Sequence, residues 1–284
     1  MHPKICNNKN RVTDAFSLEI WTKDLASLKG NPALIPVGTT VCVPYLPRES
    51  DAVRLSALIA ARHMGLEPMP HISARRIRSA AELEIFVKRV VTEAQVTRCF
   101  LIAGDPKTPL GPFSDVQALL DTGVFERNGI TQIGVAGHPE GHAAMNESQC
   151  WDVLARKCQN ISARGMEATI MTQFSFDADT VLAWIKKLRA QGMTYPVRIG
   201  VPGPAGVTVL VKYAAMCGVS ACASVFAKYG ISIGRLLATV GPDAFVRQIQ
   251  NHHNDDCGEI HLHFFSFGSA EKTVKWIYNF NLEK

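Results

Sequence analysis

The chain has 284 residues, 47% of them hydrophobic, and a formal net charge of +5. This composition can fill a sizeable core, which excludes a disordered chain. No stretch approaches the roughly 18 uninterrupted apolar residues of a membrane helix, and the first residues contain no apolar signal core, so we expect a soluble, cytoplasmic protein without a membrane partner. The modest, evenly spread charge disfavours a nucleic-acid partner and favours a small anionic ligand.

Eight β-like runs alternate with helix-like runs along the chain, and this alternation predicts one closed (β/α)8 barrel, a TIM barrel, rather than an open sheet. We therefore expect a single α/β catalytic domain over residues 1–284, with residues 1–13 as a loosely ordered tail. The predicted strands are 16–21, 40–46, 68–73, 99–104, 132–137, 169–176, 196–201 and 259–267. Helical patterns cover 50–63, 80–94, 146–163, 178–191, 207–217 and 270–278.

Two segments depart from a minimal barrel. Residues 220–256 can form extra helices before the last strand, at 223–229, 233–240 and 242–250, and extra helices at this point commonly cover a barrel mouth. Residues 105–113 are rich in proline and glycine, which favours a shaped lip over a flexible linker. The eight cysteines lack Cys-x-x-Cys spacing, so we interpret them as reduced, mostly buried thiols.

Glu19 is a carboxylate within an apolar run, residues 15–21. On strand alternation it shares a face with Ala15 and Ser17, opposite the large apolar side chains of the run, so we expect it to point into the barrel interior. A buried carboxyl must be hydrogen-bonded, paired or functional. The alternative is a partly exposed glutamate on an edge strand.

The carboxyl ends of the predicted strands carry further polar residues, and in a (β/α)8 barrel these ends form the active-site mouth. The set contains acids, amides and imidazoles, but no compact nucleophile–base pair and no nucleotide-binding glycine fingerprint. His138 and His142 are four residues apart, but Pro139 argues against the helix that a paired metal site would need, so we expect no metal. The members of the set are Glu19, Thr39, Thr40, His71, Ser73, Gly104, Asp105, His138, Glu140, His142, Thr172 and Gln173.

Taken together, these segments resemble the methylenetetrahydrofolate reductase family, which are flavin-dependent barrel enzymes, over residues 16–277. Each motif alone is short, and their shared order and placement at strand ends carry the resemblance. The matches are Ser17-Leu18-Glu19 with a family Ser-Phe-Glu, Gly65-Leu66-Glu67…Pro70-His71 with Gly-Leu-Glu…Pro-His, Gly104-Asp105 with Arg-Gly-Asp, His138-Pro139-Glu140-Gly141-His142 with Tyr-Pro-Glu-x-His, and Thr172-Gln173-Phe174-Ser175-Phe176-Asp177 with Thr-Gln-Phe-Phe-Phe-Asp.

The resemblance implies an oxidoreductase that interconverts 5,10-methylenetetrahydrofolate and 5-methyltetrahydrofolate by hydride transfer with NAD(P)H, via FAD. Glu19 matches the general acid that protonates the folate, whose five-membered ring opens to an iminium that accepts hydride. Asp105 matches an aspartate beside the flavin and the pterin, where its charge favours the cationic iminium. Gln173 matches an amide that pairs with the pterin edge, and Phe176 suits an aromatic wall. Asp105 as a turn cap and Phe176 as a core residue stay open as alternatives.

For the flavin, the resemblance implies contacts from the strand ends and from the helix after His142, whose basic residues would neutralise the pyrophosphate. It also implies a homo-oligomer, since dimers and tetramers are common in the family. The implied cofactor-binding residues are Thr40, His71, Gly104, Asp105, His138, His142, Arg156 and Lys157.

The sequence also departs from the family pattern. Ala103 stands in place of the arginine of Arg-Gly-Asp, His138 in place of the tyrosine, and Gly268-Ser269 in place of an Asn-Arg pair. The pair Arg156 and Lys157 is shifted relative to the family spacing. Two alternatives follow: direct hydride transfer from NAD(P)H to the folate without a flavin, or a folate-binding paralogue that does not catalyse turnover.

Overall fold

A computed structural model of the chain describes residues 11–29, 34–46, 49–217 and 239–282. Eight of its strands close into one parallel barrel, in the order β1-β10-β7-β6-β5-β4-β3-β2, and the predicted (β/α)8 barrel is therefore confirmed. The strands are β1 (Ser17–Glu19), β2 (Thr40–Val43), β3 (Glu67–Ser73), β4 (Arg98–Ile102), β5 (Gln132–Gly137), β6 (Glu167–Phe174), β7 (Val197–Pro202), β8 (Ala205–Gly206), β9 (Thr239–Val240) and β10 (Ile260–Phe265). β8 and β9 form a separate antiparallel pair.

Helices connect the strands and pack around the barrel, and the six predicted helical runs correspond to α2, α3, α6, α7, α8 and α10. Two short helices lie between β4 and β5, and Gly123 lies between them. Gly123 has a φ of 66°, which residues with a side chain rarely adopt. The helices are α1 (Leu25–Lys29), α2 (Asp51–His63), α3 (Ala80–Ala94), α4 (Val116–Leu120), α5 (Val124–Arg127), α6 (Glu147–Ala163), α7 (Ala178–Ala190), α8 (Val207–Cys217), α9 (Asp243–His252) and α10 (Ala270–Leu282). None of these described helices is long and apolar enough to cross a membrane.

The region before the last strand differs in part from the prediction. The predicted helix 242–250 corresponds to α9, and the predicted helix 223–229 lies outside the described residues. The predicted helix 233–240 is wrong at its end, because Thr239 and Val240 form β9 and pair with β8; residues 233–238 lie outside the described ranges.

The amino-terminal segment is packed from Arg11 onward, so the predicted loose tail does not extend to residues 11–13. Val12 is buried, and its backbone N–H donates to Gln250. The Thr13 hydroxyl donates to Asn281 of α10 at 2.7 Å. Residues 1–10 of the predicted tail lie outside the described part.

Strand alternation divides the core into two layers. The outer layer lies between the strands and the helices and contains Leu18, Val41 and Leu101. The inner layer fills the barrel and is built around Cys42, Met69, Phe100 and Met171. Above this inner cluster, the carboxyl ends of the strands open into the mouth.

The predicted lip, residues 105–113, lies against the end of β3. The backbone N–H of Leu110 donates to the Arg75 carbonyl at 2.9 Å, and the Arg75 guanidinium donates to the carbonyls of Ser114 and Pro106. On the other side of the mouth, Leu210 and Ala214 of α8 pack against Phe174 and Phe176. The lip and α8 therefore border the mouth.

Candidate active site

Glu19 is the last residue of β1 and points into the barrel mouth, as strand alternation predicted. Its side chain is 15% exposed, and its Oε2 lies 3.5 Å from Nε2 of His71 on β3. Burial raises the pKa of Glu19 from its ordinary 4.5 to about 8. The carboxyl therefore holds a proton at neutral pH, as a general acid requires.

His71, the partner of Glu19 in this contact, is buried. Its ring centroid lies 4.7 Å from that of Phe100. Burial, and then the positive charge of Arg54, lower the pKa of His71 to about 3. The contact between His71 and Glu19 therefore joins a neutral imidazole to a neutral carboxylic acid and is not an ion pair at neutral pH.

Polar groups continue below this contact into the barrel. Ser17 Oγ lies 2.9 Å from Nδ1 of His263 on β10, and both residues are buried. Burial, followed by the nearness of His71 and Arg198, lowers the pKa of His263 well below 6.5. Sequence reasoning missed His263, although alternation along β10 places it on the inward face with Phe265.

Arg54 of α2 is a second residue that sequence reasoning missed. Its side chain is 3% exposed and donates from Nη2 to the backbone carbonyl of His71 and from Nη1 to Asp51 at 3.0 Å. The guanidinium carbon lies 4.8 Å from the ring centroids of both Tyr45 and Phe86. A lone arginine in an amphipathic helix gives no sequence signal of such contacts, because helical periodicity does not specify the neighbouring strand.

An aromatic cluster forms the opposite wall of the mouth. Tyr213 of α8 stacks on Phe267 with ring centroids 4.2 Å apart, and Phe174 contacts Phe267 at 5.0 Å. Phe176, predicted as a substrate contact, is 5% exposed and packs behind Phe174. The structure thus gives Phe176 a packing position and leaves Tyr213 partly exposed in the wall.

Asp105 lies at the rim of the mouth and does not contact Glu19. Its side chain is 94% exposed and lies 3.6 Å from Arg76 Nη2. The preceding Gly104 has a φ of 93°, and a Cβ on it would collide with Ser73 Oγ, so only glycine fits this approach of β4 to β3. Gln173 is half-buried in β6, and its side-chain carbonyl accepts from the backbone N–H of Phe174 at 3.1 Å.

Thr40 does not lie at the mouth. It is the first residue of β2 and pairs in register with Ser17, below Glu19. Its hydroxyl accepts from Arg98 Nη1 at 3.0 Å, at the start of β4. The inclusion of Thr40 among the mouth residues overlooked that it begins its strand, so Thr40 belongs to the barrel floor.

The predicted cofactor residues after β5 are only partly brought together. A cavity of about 300 Å³ is lined by His138, Glu140, Glu147, Lys157 and other residues of β5, α6 and α7. The His142 ring lies 4.8 Å from that of His138. Burial, then His142 and Lys157, lower the pKa of His138 to about 4. Arg156 lines a separate groove with Gln117 and Arg164, so it does not join Lys157 in this cavity.

The methylenetetrahydrofolate reductase family matches residues 48–279 of the chain. The chain belongs to this family. A structure from Clostridium thermocellum, described as an uncharacterized protein that binds two copies of 5-methyl-5,6,7,8-tetrahydrofolic acid, superposes with a TM-score of 0.65 at 10% identity, covering 95% of this chain and 94% of that one. Dihydropteroate synthase from Thermus thermophilus superposes with a TM-score of 0.51 at 12% identity, covering 97% and 95%. At these identities the two structures show a shared fold.

The cavity after β5 is a poor match for the FAD that family membership suggests. A flavin dinucleotide carries two phosphate charges, whereas the described lining of the cavity includes one cation, Lys157, beside the carboxylate Glu140 and beside Glu147, which is paired with Lys187. Two of the amide groups that a phosphate could use at the start of α6, those of Asn146 and Gln149, are engaged by a capping box between these two residues. The charge of this cavity therefore disagrees with a bound diphosphate.

Proposed function

We propose that this protein interconverts 5,10-methylenetetrahydrofolate and 5-methyltetrahydrofolate by hydride transfer with NAD(P)H. The observation that carries the proposal is the secluded Glu19 carboxyl in the barrel mouth, with a pKa raised to about 8. Simple ligand binding does not require an acid held protonated at neutral pH, whereas proton donation to a folate nitrogen does. Family membership and a structural neighbour that binds a methyltetrahydrofolate agree with the substrate class.

In the proposed reaction, Glu19 donates its proton to the folate nitrogen as the bond between that nitrogen and the bridging methylene carbon breaks. The methylene carbon becomes an iminium and accepts a hydride, which yields the methyl group. The overall balance is methylenetetrahydrofolate, NAD(P)H and one proton giving methyltetrahydrofolate and NAD(P)+. The surroundings of Glu19, including the buried His71, leave 15% of its side chain exposed, so the proton donor is largely shielded from water.

The charge of the cavity after β5 favours direct hydride transfer from the nicotinamide to the folate as the second candidate route, beside transfer via FAD. The absorption spectrum of the purified protein separates the two routes. Stoichiometric flavin released on denaturation would contradict direct transfer. A colourless protein that still oxidises NADH with methylenetetrahydrofolate would contradict the FAD route.

Replacement of the proton donor tests the reaction itself. We expect Glu19→Gln to lower the rate of NAD(P)H-dependent reduction of methylenetetrahydrofolate by about 10²- to 10⁴-fold, because the amide keeps the shape but cannot donate the proton. Glu93→Gln on the exposed face of α3 is the matched control and should keep the wild-type rate. Undiminished activity in Glu19→Gln would refute the mechanism, and no turnover in either direction by the wild type would favour the non-catalytic folate-binding alternative.

A further inference from the structure

Arg76 is a largely buried arginine at the rim of the mouth, and its guanidinium makes no hydrogen bond to a described residue. Its side chain is 17% exposed. Its ion-pair partner Asp105 lies 3.6 Å from Nη2, beyond hydrogen-bond distance, and an ion pair with so exposed a carboxylate contributes little to stability. The N–H donors of Arg76 therefore lack the acceptors that a largely buried guanidinium requires.

The Arg76 guanidinium is held in place although it lacks hydrogen bonds. Its central carbon lies 5.2 Å from the ring centroid of Tyr45, which follows β2. The preceding Arg75 ties the turn after β3 to the lip, because its backbone N–H donates to the Ala103 carbonyl at 2.9 Å and its guanidinium donates to the Ser114 carbonyl at 2.7 Å. Arg76 is thus preorganised, which reduces the conformational entropy that binding a ligand would cost.

The nitrogens of Arg76 remain open to ligands from the mouth. Each keeps some accessible surface, unlike Nε of Arg54, which is buried and has no hydrogen-bond partner among the described residues. A planar guanidinium with free N–H groups binds a carboxylate through two parallel hydrogen bonds. Asp105 shows that a carboxylate can approach this guanidinium, and its exposed side chain is free to move aside. The rim therefore offers a site for one carboxylate.

Arg76 lies away from the reacting end of the mouth. The Tyr45 ring that it contacts also lies 4.8 Å from the guanidinium carbon of Arg54. Arg54 in turn donates to the backbone carbonyl of His71, and His71 contacts Glu19. Several side chains thus separate Arg76 from the proton donor, so a ligand that reacts at Glu19 would reach Arg76 with a remote part. Remote contacts of this kind position a substrate without taking part in its chemistry.

We propose that Arg76 binds a carboxylate of the glutamate tail of the folate, while the pterin end of the folate lies at Glu19. The inference rests on the proposed function, which supplies the folate as the ligand. A tail carboxylate can take the place of Asp105 beside Arg76 with the charge balance unchanged, whereas the diphosphate of a nicotinamide nucleotide would place two negative charges there. Arg76 is thus a specificity-determining residue that selects ligands with an anionic tail.

The test measures equilibrium binding by the full chain, because binding needs no turnover. The ligands are 5-methyltetrahydrofolate and its dimethyl ester, in which both tail carboxylates are neutral, and isothermal titration calorimetry gives the Kd. We expect Arg76→Gln to raise the Kd of the acid about 10- to 100-fold, because a charge-assisted pair is lost, and to leave the Kd of the ester unchanged. Arg89→Gln is the matched control, since Arg89 is an exposed arginine of α3 that pairs with Glu93, and it should bind both ligands as the wild type does.

Three results would overturn the proposal. Equal Kd values of the acid and the ester with the wild type would show that the tail carboxylates are not bound, whether or not the variants fold. Equal weakening of both ligands in Arg76→Gln would mean that the arginine does not act on the tail. Weaker binding of NADH but not of 5-methyltetrahydrofolate in Arg76→Gln would assign Arg76 to the diphosphate. A wild type that binds the folate through Arg76 but reduces no methylenetetrahydrofolate would refute the proposed function and leave this result standing.

Discussion

At the residue scale, the raised pKa of Glu19 sets the pH range in which the proposed reduction can run. The acid is protonated below about pH 8 and loses its proton above this value. We therefore expect kcat for the reduction of methylenetetrahydrofolate to fall about tenfold per pH unit above that point, because a carboxylate cannot donate a proton. The measurement is a pH–rate profile with circular dichroism at each pH as the control for folding. A rate that rises steadily from neutral to alkaline pH would contradict the role of Glu19.

The same residues show what the sequence could and could not predict. The inward direction of Glu19 followed from alternation alone, because a strand places every second side chain on one face. Thr40 was assigned to the wrong end of the barrel although the predicted strand 40–46 begins with it, because it was grouped with the mouth residues by its polarity and not by its place in the strand. Arg54 and His263 were missed because their importance comes from contacts between elements distant in sequence.

At the element scale, a bulge in β6 brings Gln173 to its position and depends on a glycine in β7. The pairing of β6 with β7 shifts register between Met171 and Phe174. A Cβ on Gly200 would lie 2.6 Å from the Thr172 carbonyl oxygen, which is backbone and cannot move aside easily. We expect Gly200→Ala to lower the free energy of unfolding by about 1–3 kcal/mol, as overpacking does.

Urea unfolding measures this effect, and Gly206→Ala is the matched control because a Cβ there meets nothing within 4 Å. The control should change stability by no more than about 0.5 kcal/mol. Equal stability of the two alanine variants would mean that the bulge tolerates a side chain. The sequence alone offered no sign of the bulge, since the run 169–176 reads as one regular strand.

At the scale of the whole molecule, buried and partly buried titratable groups of opposite kind predict a maximum of stability near pH 6.5. His71, His138 and His263 have lowered pKa values, so the unfolded chain binds protons below 6.5 that the folded chain does not, and stability falls as the pH falls. Glu19 has a raised pKa, so its contribution is fully present below 4.5 and is lost as the pH rises through about 8. Between pH 4.5 and 6.5 the three histidines have the opposite effect to Glu19 and outnumber it, so stability rises with pH there.

Above pH 6.5 the ionisation of Glu19 acts without the histidines, and the free energy of unfolding should fall by about 1.4 kcal/mol per pH unit up to the pKa of Glu19. Urea unfolding of the wild type on either side of 6.5 checks the maximum. Glu19→Gln isolates the contribution of Glu19, because in this variant the free energy of unfolding should vary less with pH above 6.5. The same loss of stability above pH 6.5 in the variant would mean that other groups cause it.

The strand that carries Glu19 is also the strand that closes the barrel, because β1 pairs with β2 on one side and with β10 on the other. Ser17 completes the closure through its hydrogen bond to His263, 246 residues further along the chain. A nascent chain on the ribosome has made β1 first and β10 last, so Glu19 stays open to water during most of translation. Its carboxyl acquires the seclusion that keeps it protonated only after β10 has emerged, and an incomplete chain would therefore lack the protonated carboxyl that the proposed reaction needs.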